Sequence, residues 1–109
     1  MPTTYRILGQ SAPLATAETL LYAVPAATSA IVSALSICNR SGVAVTFRIS
    51  ASPAGAATTD ADYLYFDADI SANASLSLKP GIALAATDVV RVYASTADLS
   101  FSLFGVELS

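Results

Sequence analysis

Val43, Val45, Phe47 and Ile49 alternate with Ala44, Thr46, Arg48 and Ser50, and Leu99, Phe101 and Leu103 alternate with Ser100 and Ser102. Side chains two apart on an extended chain point the same way, so this period of two describes strands with one buried face. The pattern recurs between clusters of turn-forming residues at intervals of about 8–12 residues, the spacing of a sandwich or jelly-roll-like barrel. The fold class is therefore all-β: a single antiparallel domain of about seven or eight strands. A helix over Pro13–Leu21 has suitable residue types but would make barely two turns.

Thr19–Val24, Ala30–Asn39, Val43–Ala51, Asp62–Ile70, Val89–Ala94 and Leu99–Leu108 read as strands. Ser75–Leu84 reads as an edge interrupted at Lys79-Pro80-Gly81, because proline cannot donate to a ladder. Residues 1–15 read as an extended N-terminal arm, with the sandwich spanning 16–109. Strict alternation sets Ile31, Leu35 and Ile37 on one face of their strand and Val32, Ala34 and Cys38 on the other. It likewise sets Leu64, Phe66 and Ala68 opposite Tyr63, Tyr65, Asp67 and Asp69. Asn39-Arg40-Ser41-Gly42 predicts a hairpin. A bulge at Gly105 would bring Phe104, Val106 and Leu108 inside with Leu99, Phe101 and Leu103. The loop from Ser52 to Asp60 holds only small residues and is expected to be mobile or pressed against a flat partner.

Only 12% of the 109 residues are charged, against 54% hydrophobic; ordinary soluble domains carry about 25% charged residues. Such a thin ionic skin predicts that part of the exterior is covered by another subunit or protein. The net charge of −3, with Arg6, Arg40, Arg48, Lys79 and Arg91 scattered singly, argues against nucleic acid and against a polybasic membrane tether. No apolar run approaches the roughly 20 residues of a membrane helix, and no signal peptide is visible at the start. Cys38 is the only cysteine and there is no histidine, so an internal disulfide, a zinc cluster and histidine-based catalysis are excluded. Cys38 reads as a buried, inert thiol in a chain made in a reducing cytoplasm.

The carboxylates gather at Asp60, Asp62, Asp67 and Asp69. Asp67 and Asp69 fall on one strand face about 7 Å apart; they read as solvated acids that discourage edge pairing, with a cation site or glycosidic chemistry as alternatives. Tyr63, Tyr65 and Tyr93 share strand faces with charged residues. Tyrosine buries ring area while its hydroxyl keeps a polar partner, so these three, with outward Arg48 and Arg91, are the candidate interface residues. Cross-strand pairing within one sheet is the alternative. No cofactor or catalytic residue is indicated, and no enzymatic activity is expected.

Gly9-Gln10-Ser11-Ala12-Pro13, the segment Glu18–Ala26, Thr28–Ser33, Cys38-Asn39-Arg40, Ala85–Ser95 and Leu99–Gly105, in that order, resemble small virion structural proteins of tailed phages, notably those of cyanobacteria and other aquatic bacteria. The resemblance spans nearly the whole chain. It implies a non-enzymatic particle component, located in the virion and made in the host cytoplasm. The first implied role is a capsid cement or decoration protein: a homo-oligomer, expected to be a trimer, bound to the major capsid protein on the outer shell. The other is a tail or fibre module that binds a host surface. The resemblance carries over no catalytic or ligand residues.

Overall fold

Residues 3–79 and 81–109 are described by a computed structural model. They form two antiparallel sheets from nine strands. One sheet, here sheet A, holds β1 (Thr3–Ser11), β9 (Leu99–Leu108), β3 (Ser29–Asn39) and β6 (Ser75–Leu78) in that order, with β7 (Ile82–Leu84) pairing the other end of β3. Sheet B holds β2 (Thr19–Ala23), β8 (Val89–Ala94), β4 (Val45–Ser52) and β5 (Tyr63–Ile70). The all-β sandwich read from the alternation is the observed fold. Pro80 lies outside the described residues, but β6 and β7 stop on either side of it and pair only with β3.

The core lies between the sheets. β9 supplies Leu99, Phe101 and Leu103; β3 supplies Val32, Leu35 and Ile37; β4 and β8 face them with Phe47, Ile49, Val90 and Val92. Phe47 meets Phe101 edge-on across the layers at 6.4 Å between ring centres. Each such side chain contributes roughly 1.5–3 kcal/mol by leaving water, so this set carries most of the fold's stability.

Register slips in β1, β3 and β5 correct the strict alternation. β9 alternates without interruption: Leu99, Phe101, Leu103, Gly105 and Glu107 face inward, while Phe104, Val106 and Leu108 stay half-buried on the outer face. The irregularity at Gly105 falls instead in its neighbours. β1 shifts register between Ile7 and Gly9, and β3 between Val32 and Ala34. A Cβ on Gly105 would sit 2.1 Å from the Ile31 carbonyl oxygen and 3.1 Å from the Leu8 side chain, so the missing side chain lets the strands close there. Past its bulge, β3 turns Leu35 and Ile37 to the same side as Val32, and Cys38 emerges exposed on the outer face beside Ser75 and Ser100. The thiol is accessible, not buried. The third irregularity is in β5, whose register against β4 slips around Leu64 and again at Phe66–Asp67, with Asp67 at φ 50°. Tyr65 is thereby turned inward onto Phe47, while Leu64 and Phe66 face solvent.

Asn39-Arg40-Ser41-Gly42 does not close a hairpin. β3 belongs to sheet A and β4 to sheet B, so the turn carries the chain between layers. Asn39 holds this corner. Its Oδ1 accepts from the Ser41 backbone N–H at 3.0 Å, and its Nδ2 donates to the carbonyls of Val43, Ile70 and Ser71. Arg40 donates to the Ala97 carbonyl at 2.8 Å and so closes the turn before β9.

Gly105→Ala should cost roughly 3 kcal/mol or abolish folding, since backbone rather than a flexible side chain occupies the added methyl's place. Urea unfolding measures this. A loss below about 1 kcal/mol would show that the strands can part there without strain.

Candidate functional site

The two outer sheet faces differ in charge. On sheet B, β8 presents Arg91 and Tyr93, β4 presents Arg48, and β5 presents Tyr63, Phe66 and Asp67. Arg48 pairs with Tyr93 across the ladder. Its guanidinium lies 4.2 Å from the Phe66 ring centre and 4.4 Å from that of Tyr93, and it donates to Asp67 through Nε at 2.7 Å and Nη2 at 3.3 Å. The Asp67 hydrogen bond raises the Arg48 pKa further. Tyr63 packs edge-on against Phe66 at 4.9 Å. Of the candidate interface residues, the fold therefore gathers Arg48, Tyr63 and Tyr93, adding Phe66, whose outward position strict alternation hides. Tyr65 lies on the inner side and is not part of this cluster.

Arg91 faces outward as expected but is occupied. Nη1 donates to Ser52 Oγ, the Ala56 carbonyl and Thr58 Oγ1 at 3.1, 2.9 and 3.0 Å, and Nη2 to the Gly55 carbonyl at 3.3 Å. This binds the small-residue loop to the sheet. Asp88 accepts the Ala54 N–H at 2.9 Å, and Asp62 accepts from the Thr59 N–H at 2.9 Å and from Ser52 Oγ at 3.2 Å. The Thr59 N–H is the largest of the influences holding the Asp62 carboxyl below its ordinary pKa. The loop is thus folded into two short 3-10 turns, Pro53–Gly55 and Asp60–Asp62, by polar bonds from its own chain.

The paired-carboxylate reading also changes. Asp67 is committed to Arg48, which leaves Asp69 without it as a free carboxylate partner. Among the described residues, no group of three or more His, Cys, Asp or Glu side chains converges as a metal site.

Sheet A differs. The register places Tyr5 and Ile7 of β1 beside Val106 and Phe104 of β9, and these beside Ile31 and Ala34 of β3. Tyr5 is 80% exposed, Ile7 49% and Ile31 46%. Toward the other end the same face becomes hydroxylic, with Ser36, Ser77, Ser100 and Ser102 around Cys38. No described residue pointing outward from the strands of sheet A is Asp, Glu, Lys or Arg.

The two ionic groups in the strands of sheet A lie on its inner side, at one end of the sandwich. Glu107 is 9% exposed. It accepts from Tyr22 Oη at 2.5 Å and from Arg6 Nη1 at 3.0 Å, joining β9, β2 and β1 across both layers. The sequence gives no periodic signal for this triad, because an inward glutamate breaks the apolar pattern of its own strand. Burial raises the Tyr22 pKa well above the ordinary 10.0, and the Glu107 hydrogen bond and charge raise it further, against a smaller opposing effect of Arg6.

A raised tyrosine pKa means that the native state keeps a proton the unfolded chain gives up. The stabilisation is complete below pH 10.0 and is lost as pH climbs toward the folded value. Between about pH 10 and 12, the wild-type chain should lose stability faster than Tyr22→Phe in urea titrations. Parallel curves would show that the folded chain does not retain the Tyr22 proton.

No family model matches the chain, and no curated protein matches it.

Proposed function

We propose that the protein is a structural component of a phage virion, a capsid cement protein that lays the uncharged face of sheet A on the major capsid protein and helps tie the shell together. The observation that carries this reading is that face: among the described residues its outward strand positions hold no ionised side chain, and it is apolar at one end and hydroxylic at the other. Covering a charge costs several kcal/mol unless it is well paired, and this face imposes no such cost. Its serines exchange water for a partner's backbone groups, and its apolar end supplies the non-directional part of the contact. Weak contacts repeated over a rigid shell combine through effective concentration. The resemblance to small virion proteins supports the setting.

A second reading, a tail or fibre module that binds a host-surface glycan, draws on the opposite face. A cleft of about 360 Å³ lies beside Asp60, Tyr63 and Phe66, and Phe66 is 57% exposed. An open ring beside a carboxylate suits a sugar. Phe66→Ala is the informative variant for that reading, because Tyr65 is turned away.

Cys38 gives a direct readout for the first reading, since it lies on the uncharged face. In the isolated protein it should react with a maleimide at close to the rate of a free thiol. On tail-free capsids carrying the protein in near-stoichiometric ratio to the shell subunit, it should be protected at least about tenfold, the shift of a contact worth ~1.4 kcal/mol. Recovery of the protein only in tail fractions, or capsid-bound protein with Cys38 still fully reactive, would contradict the proposal.

A further inference from the structure

An open sheet edge is a template for another strand, and proteins blunt their edges with short strands, bulges, proline or charge. Three of the edges here are blunted. β2 has five residues, slips register after Leu20 and is followed closely by Pro25. β5 slips register twice and carries Asp67 and Asp69 outward. β6 and β7 have four and three residues, the first ending at Leu78 and the second starting at Ile82. The fourth edge is β1, nine residues long, without proline or carboxylate. Its one cation, Arg6, is bonded to Glu107 within the chain; β2 approaches β1 closely at Gly9, but among the described residues no strand is hydrogen-bonded along the outer side of Thr3–Ile7. It also carries Tyr5, the most exposed of the large apolar side chains among the described residues.

We propose that a second copy of this chain occupies that edge: two molecules join β1 to β1, antiparallel, about a two-fold axis through Tyr5. The regular run Thr3–Ile7, which ends at the Leu8 bulge, fixes the centre. Tyr5 then faces its own counterpart, Thr4 faces Arg6, and Thr3 faces Ile7. A centre at Arg6 would instead set two guanidinium groups opposite each other, which is destabilising. Antiparallel pairing of one strand with itself is isologous and closes after two copies. It joins the two A sheets into one surface, with the apolar ends of both uncharged faces side by side.

Four strands at about 4.8 Å spacing and ten residues at about 3.4 Å give one outer face a flat footprint of roughly 650 Å², and joining two copies at β1 doubles that continuous face. The pairing deepens the shell-docking reading, resting on it only for the use of the joined face.

Tyr5→Asp tests the pairing, because an exposed position can take a carboxylate without loss of core. Sedimentation of the full wild-type chain should show a concentration-dependent dimer. Tyr5→Asp should raise the dimer dissociation constant at least about tenfold, by setting like charges opposite each other, with unchanged circular dichroism and melting temperature. An equimolar mixture of Tyr5→Asp and Tyr5→Lys should restore the dimer, which a merely misfolded variant would not do. A wild-type monomer at about 100 µM, a trimer, or a dimer indifferent to Tyr5→Asp would overturn the proposal. A monomer that still protects Cys38 on capsids would refute the pairing alone; a dimer without affinity for capsids would refute the shell reading and leave the pairing standing.

Discussion

A single absent methyl group at Gly105 governs the shape of sheet A. β9 is the spine of that sheet, and its neighbours on both sides buckle where they pass this residue. The Ile31 carbonyl and the Leu8 side chain fill the space that a Cβ would take. Each bulge reverses the facing of the strand beyond it. Val32 and Leu35 consequently both reach the core. The apolar end of the outer face, with Tyr5, Ile7, Ile31 and Phe104 in adjoining rows, follows from the same local geometry. Packing inside and the character of the surface outside thus have one origin.

The sparse charges of the chain are largely consumed internally. Four of the five basic residues bond to their own chain: Arg6 to Glu107, Arg40 to the turn before β9, Arg48 to Asp67, and Arg91 to the loop after β4. They act as fasteners of corners, edges and loops. Asn39 does the same work without charge at the crossing between layers. What faces water is therefore less ionic than the composition implies, and among the described residues the outward strand positions of sheet A carry no ionised side chain, the exposed Arg6 lying on the inner side and Lys79 beyond the end of β6. This lack of charge is what makes covering that face inexpensive and leaving it bare unfavourable.

The strands, their approximate limits and the fold class were legible in the sequence because period-two alternation and turn residues are local signals. Facing was legible only where a strand is regular: Val90, Val92 and Ala94 point inward as the pattern implies, and Arg91 and Tyr93 outward. It failed in β3 and β5, where a register slip in mid-strand reverses parity and leaves no mark in composition. Cys38 and Tyr65 were misplaced for that reason. Gly105 signalled an irregularity, but the sequence could not reveal that the neighbouring strands would absorb it. The Asn39 turn resembled a hairpin because turn chemistry reports a change of direction, not the sheet to which the next strand belongs. The Tyr22–Glu107–Arg6 triad depends on contacts between residues 85 and 101 positions apart, which no window of sequence contains. Of the candidate interface residues, Arg48 and Tyr93 lie together because they are cross-strand partners that alternate in step, whereas Tyr63 reaches the same face across the slips of β5.

The central claim is that the outer face of sheet A is covered in the working assembly and that of sheet B is not. A charge scan at solvent-exposed positions tests it most directly, with co-sedimentation on capsids as the readout. Ser77→Glu and Ala83→Glu place a carboxylate on the sheet A face, while Asp69→Lys changes a charge on sheet B. The account predicts that either sheet A variant folds normally and loses the capsid, and that Asp69→Lys binds as the wild type does. Full binding by both sheet A variants, with loss of binding by Asp69→Lys, would contradict it.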